Sequence, residues 1–144
     1  MNQGQKANLN GKMFHDECWD YLEKKGHNPQ VPAGYEALWY GNRLNKTDIF
    51  LPDKNAQVEC KFQTVSGTCD QKPFAELWNA YERVKCDYYV LLFGGSHWEE
   101  NTRGMNIFKE AKQMAAKLNS FPRSNGAKKL KVMNSIEFKE WINE

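Results

Sequence analysis

Asp48, Glu59 and Lys61 are the residues of this chain whose types and spacing could do chemistry together. They belong to Thr47-Asp48-Ile49-Phe50-Leu51, then Pro52-Asp53-Lys54-Asn55, then Ala56-Gln57-Val58-Glu59-Cys60-Lys61-Phe62. Two apolar-rich runs around four turn formers predict a β-hairpin. With Leu51 paired to Ala56, Asp48 falls directly opposite Glu59, where Cβ atoms are about 4.5–5.5 Å apart on one face. Lys61 keeps that face by strand alternation, while Ile49, Leu51, Val58 and Cys60 point the other way, into a core. A lone Glu-x-Lys is ordinarily a surface ion pair. Two acids and an amine converging over apolar packing are instead suited to holding a divalent metal.

The elements that must position this hairpin follow from periodicity. Phe14, Cys18, Tyr21 and Leu22 form one stripe of a helix over about 12–25, closed by Gly26, while residues 1–10 read as a loose polar terminus. Tyr35 to Tyr40 predicts a first strand, with Gly41-Asn42 as the turn that precedes the hairpin. After a loop over 64–70, Pro73 opens a helix in which Phe74, Leu77, Trp78 and Tyr81 recur at helical spacing. Tyr88-Tyr89-Val90-Leu91-Leu92-Phe93 is a continuous apolar run stopped by Gly94-Gly95, which predicts a fully buried strand. A helix over about 104–119, a short edge strand over 129–133 and a last helix capped by Ser135 complete the chain. The expectation is one α/β domain over 11–144, a mixed central sheet flanked by helices.

Composition narrows the classes. Of 144 residues, 40% are hydrophobic and 13% aromatic, enough for one buried core. A formal net charge of +2 neither requires nor excludes nucleic acid. The cysteines at 18, 60, 69 and 86 show no metal-finger spacing, which favours free thiols and a reducing, cytoplasmic setting. No apolar run approaches the length of a membrane span.

With the α-β-β-β-α-β order and the Asp48…Glu59-Cys60-Lys61 pattern at its centre, the chain resembles the PD-(D/E)XK nuclease superfamily, the restriction-endonuclease-like fold. The resemblance runs from the Gly11 helix to about Phe93 for the αβββαβ core, with extra C-terminal helices beyond. The run from Lys61 to Thr68, with Gln71-Lys72 following, is similar to a segment of some phage and bacterial members. The literal Pro52-Asp53 lies in the hairpin turn, so the family's metal-binding aspartate is carried onto Asp48. What the resemblance implies is a Mg²⁺-dependent DNA endonuclease (Mn²⁺ as a substitute metal), working as a homodimer or higher assembly. Asp48, Glu59 and the Cys60 backbone carbonyl would hold the metal, and Lys61 would position water and stabilise phosphorane charge.

Further residues are candidates on weaker grounds. Gln63 shares the parity of Glu59 and Lys61, so it could hold water or phosphate. In the first helix, where many members carry an acid, His15 matches that position and Glu17 points more outward. Lys46, Lys72 and Arg43 are candidate DNA contacts, as are Arg103, Arg123 and the Lys128-Lys129-Lys131 run, although a charge run is more often a solvated face. His27 and His97 are read as surface residues, and Trp39, Tyr40 and Trp98 as packing. The histidine in place of an acid leaves a rival reading open: a non-catalytic nucleic-acid-binding or assembly module on the same fold.

Overall fold

The computed structural model describes residues 3–36, 44–64, 68–122 and 125–144. The hairpin takes the predicted register, Ile49 opposite Val58 and Leu51 opposite Ala56, between β3 (Ile49–Leu51) and β4 (Ala56–Phe62). Asn55 closes the turn at φ 47°, a left-handed conformation that asparagine tolerates better than most residues. The outer edge of β3 is met by one bridge, in which Gln30 and Phe50 exchange backbone hydrogen bonds of 2.8 and 2.9 Å.

On its other side β4 runs parallel to β5 (Tyr88–Gly94), which runs parallel to β6 (Lys129–Asn134), giving the order β3-β4-β5-β6. Parallel neighbours need long crossovers. The first carries α2 (Lys72–Arg83); the second carries α3 (Ser96–Glu100) and α4 (Thr102–Asn119). α1 (Gln3–Lys24) and α5 (Ser135–Ile142) complete a mixed sheet flanked by helices, the predicted class.

Alternation along the strands divides the interior in two. Cys18 and Leu22 of α1 and Phe138, Trp141 and Ile142 of α5 pack on Ile49, Leu51, Val58, Val90 and Leu92. The opposite face buries Tyr89, Leu91 and Phe93 under Leu77 and Ala80 of α2 and Ile107, Ala111, Ala115 and Leu118 of α4. The continuous apolar run of β5 serves both cores, which explains its lack of alternation. At its end, a Cβ on Gly94 would come within 2.4 Å of the Phe14 ring, so glycine lets that ring of α1 pack there without shifting.

Several details differ from the sequence reading. α1 starts at Gln3, well ahead of the apolar stripe at Phe14. Tyr35–Glu36 pairs with Leu44–Asn45 as a separate two-stranded ribbon (β1 and β2) rather than joining the main sheet. The rest of that predicted strand, its turn, Trp39, Tyr40, Arg43 and Arg123 lie outside the described residues. Asn134, not Ser135, caps α5, through a capping box with Glu137: its side chain accepts from the Glu137 N–H at 2.9 Å. α3 was not anticipated, being too short to show a period. Its His97 is buried at 1% exposure rather than superficial, and His27 pairs with the turn residue Asp53 at 2.7 Å. Cys18, Cys60 and Cys86 are free thiols.

Candidate active site

Beyond Ile49 a side chain takes over from the main-chain ladder of the hairpin. Asp48 N–H donates to the Val58 carbonyl at 3.1 Å, and the Asp48 Oδ2 accepts the Cys60 N–H at 2.8 Å. That bond fixes the carboxylate beside β4 and opposite Glu59, on the face shared with Lys61. This face is not open: Glu59 pairs with Leu91 and Lys61 with Phe93 of β5, so both rise at the margin of the core under α2.

Burial dominates the electrostatics. It pushes the Glu59 carboxyl well above the usual range, and a hydrogen bond with Asp48 and the charges of Asp48 and Glu76 push further; Lys61 opposes them. Burial also works against the Lys61 ammonium, but Glu76, Glu59 and Asp48 together outweigh it and hold the amine above its ordinary value. Lys61 is therefore a cation, ion-paired through Nζ to Glu76 Oε1. Desolvation raises Glu76 as well, with Lys61 and Lys72 opposing. Its other oxygen, Oε2, is buried and has no hydrogen-bond partner among the described residues.

A cleft of about 500 Å³ opens above the end of β4, lined by His15, Asp48, Cys60, Lys61, Gln63 and Lys72, with Lys12 also on its wall. α1 packs on the far face of β4, so His15 arrives at the rim: Nε2 lies 3.4 Å from the Asp48 backbone carbonyl. Glu17 is exposed and lines a different hollow, between α1 and α5. Gln63 lines the cleft while its amide donates to Asp70 Oδ1 at 3.0 Å, so the side chain is tied back rather than swinging freely over the site. Lys46 is exposed, and Lys72 stands at the first turn of α2. Arg103 is drawn onto Asp70 at 2.9 Å, Lys128 pairs with Asp87 at 3.2 Å, and Lys131 lies over the Tyr88 and Trp141 rings.

Sequence reasoning missed Glu76 and the Asp70–His97 pair. Glu76 follows Pro73 by three residues and precedes Ala80 by four, both buried. Those are same-face spacings, so an acid on the core stripe of α2 was detectable. Asp70 accepts from His97 Nε2 at 3.0 Å across 27 residues of chain, and no local pattern announces such a pair. A Cβ on Gly95 (φ 99°) would lie 2.3 Å from the Gln63 carbonyl. The start of α3 is thus pressed against the end of β4, which turns His97 inward toward Asp70.

Among the described residues, no three His, Cys, Asp or Glu side chains form a metal cage on their own. Mg²⁺ does not require one: it usually takes one or two carboxylates and keeps several waters. Two neighbouring carboxylates suit such an ion, because a proton or a cation between them relieves their repulsion.

A mixed sheet with acids and a lysine on its β3–β4 hairpin fits the class of restriction-endonuclease-like domains. The family model described as a PD-(D/E)XK nuclease superfamily domain matches residues 6–144, and the chain belongs to that superfamily. Members are generally nucleases. No curated protein and no solved structure matches the chain significantly. Among the described residues, no helix is long and apolar enough to cross a membrane.

Proposed function

We propose that this protein is a Mg²⁺-dependent DNA endonuclease. The observation that carries the reading is Asp48, fixed by the Cys60 amide opposite Glu59 and beside a charged Lys61, at the foot of a cleft. Asp48, Glu59 and the Cys60 carbonyl would hold the metal, which when bound supplies Lewis-acid activation of water and phosphate. The chain's own residues do the remainder. Lys61 places its ammonium where charge grows on the phosphoryl oxygens, and it orients the attacking water. Its protonated state excludes it as the resting general base. Lys12, Lys72 and His15 on the cleft wall contact the flanking phosphates, and the Gln63 amide, oriented by Asp70, borders the same space.

The test is cleavage of supercoiled plasmid and of four-way-junction DNA with Mg²⁺ or Mn²⁺. Wild-type protein should cut, and Glu59→Gln should lose roughly 100-fold or more in rate. Cutting that survives Glu59→Gln would place the chemistry elsewhere.

One observation favours a second reading, a non-catalytic nucleic-acid-binding module: α1 brings His15, not an acid, to the cleft. DNA binding with no cutting under either metal would support it. With one site per chain, cutting both strands calls for a homodimer.

A further inference from the structure

The Lys61–Glu76 pair is the feature of the site that the metal chemistry leaves unused. We propose that Glu76 of α2 is a positioning residue that holds the Lys61 ammonium to one side of the Asp48–Glu59 pair, ready for the phosphate; this rests on the hydrolytic reading. Asp48, Glu59 and Glu76 all act electrostatically on Lys61, so an unrestrained ammonium would settle among the first two and block the place a cation needs. Glu76 comes from a different element and takes the ammonium for itself. A divalent ion held by Asp48 and Glu59 would repel the Lys61 charge, and the Glu76 carboxylate keeps lysine from being driven out of the site. The side chains of Lys61 and Glu76 are only 19% and 17% exposed, so their geometry is set by packing.

The bland alternative is a staple that pins α2 to β4. A buried ion pair is a weak stabiliser, because desolvation offsets much of the attraction. The Oε2 oxygen, buried and without a hydrogen-bond partner among the described residues, is also unexpected in a staple, which would satisfy both oxygens.

The experiment compares Glu76→Gln, Lys61→Ala and the double variant in the full chain. Glu76→Gln should lower kcat roughly 10- to 100-fold, as for other groups that orient site residues, with KM within about threefold. Mn²⁺ affinity, measured by calorimetry without DNA, should change little beside the fall in kcat, since the ligands remain. The Lys61 ammonium signal in ¹⁵N NMR, slowed in exchange by its partner, should be lost. Adding Glu76→Gln to Lys61→Ala should cost nothing more.

Additive losses in the double variant, or an ammonium signal that persists in Glu76→Gln, would overturn the proposal. So would a tenfold fall in Mn²⁺ affinity, which would make Glu76 a ligand. If Glu76→Gln does not fold, Glu76→Asp carries the same comparisons, keeping the charge but withdrawing it by one methylene. A wild-type protein that binds DNA without cutting sinks the hydrolytic reading alone; the NMR arm still decides whether Glu76 holds Lys61.

Discussion

Glu59 ties the stability of the metal-free protein to pH. Its carboxyl is raised in the folded state, first by burial and then by Asp48 and Glu76, so the folded chain binds this proton more tightly than the unfolded chain does. Stability is then greatest below the ordinary glutamate value of about 4.3 and falls as pH climbs toward the raised one. Thermal melts in chelator should therefore decline as pH rises above about 4.3, and Glu59→Gln should flatten much of that slope. A wild-type profile as flat as that of the variant would count against the assignment. At the alkaline end a saturating divalent ion should recover about 2.7 kcal/mol at a hundred times its Kd. Much of this residue set was legible from the amino acids alone. The spacing of Asp48, Glu59 and Lys61 around a turn is local, and strand alternation needs only the register. Glu76 stayed hidden because it comes from the next helix, and the stripe of α2 was read for its apolar members only.

The elements were legible in proportion to their length. α2, α4 and β5 each carry enough apolar positions to declare a period, whereas α3 has five residues and none. Tyr35–Glu36 and Leu44–Asn45 pair in their own ribbon, apart from the sheet that carries the site, and the remainder of the predicted first strand lies outside the described residues. Termini depend on caps, and α5 shows how one residue shifts them. Asn134 and Ser135 are both good caps by type, but the reciprocal bond with Glu137 selects Asn134. Asn134→Ala should destabilise the protein by about 1 kcal/mol, a fall of roughly 2–4 °C in Tm for a chain of this size. Ser135→Ala should change little. Equal losses for the two variants would contradict the capping geometry.

Across the whole molecule, the sheet works as a partition with a core on each side, and the site lies where β4 emerges between them. α1 reaches it from one face and α2 from the other, so His15 comes to Asp48 and Glu76 to Lys61 from opposite sides of the sheet. The outer strand β6 alternates Lys129 and Lys131 with Leu130 and Val132, and lysines on an edge discourage pairing with other chains. Self-association through that edge is therefore disfavoured, and a dimer formed for the proposed double-strand cutting would use another surface. Plasmid assays should yield nicked circles at protein concentrations below dimerisation and linear product above it, with sedimentation locating the midpoint. Linear product from a demonstrable monomer would remove the need for a dimer.

One bond has a practical bearing on any mutagenesis of this protein. The Asp48 carboxylate does the work of a peptide carbonyl by receiving the Cys60 amide proton, so truncating it to alanine both deletes a charge and unzips the last rung beside β4. Asparagine still offers an oxygen to that amide while surrendering the charge. The gap in behaviour between Asp48→Asn and Asp48→Ala thus separates what the aspartate contributes as an anion from what it contributes as a splice in the backbone.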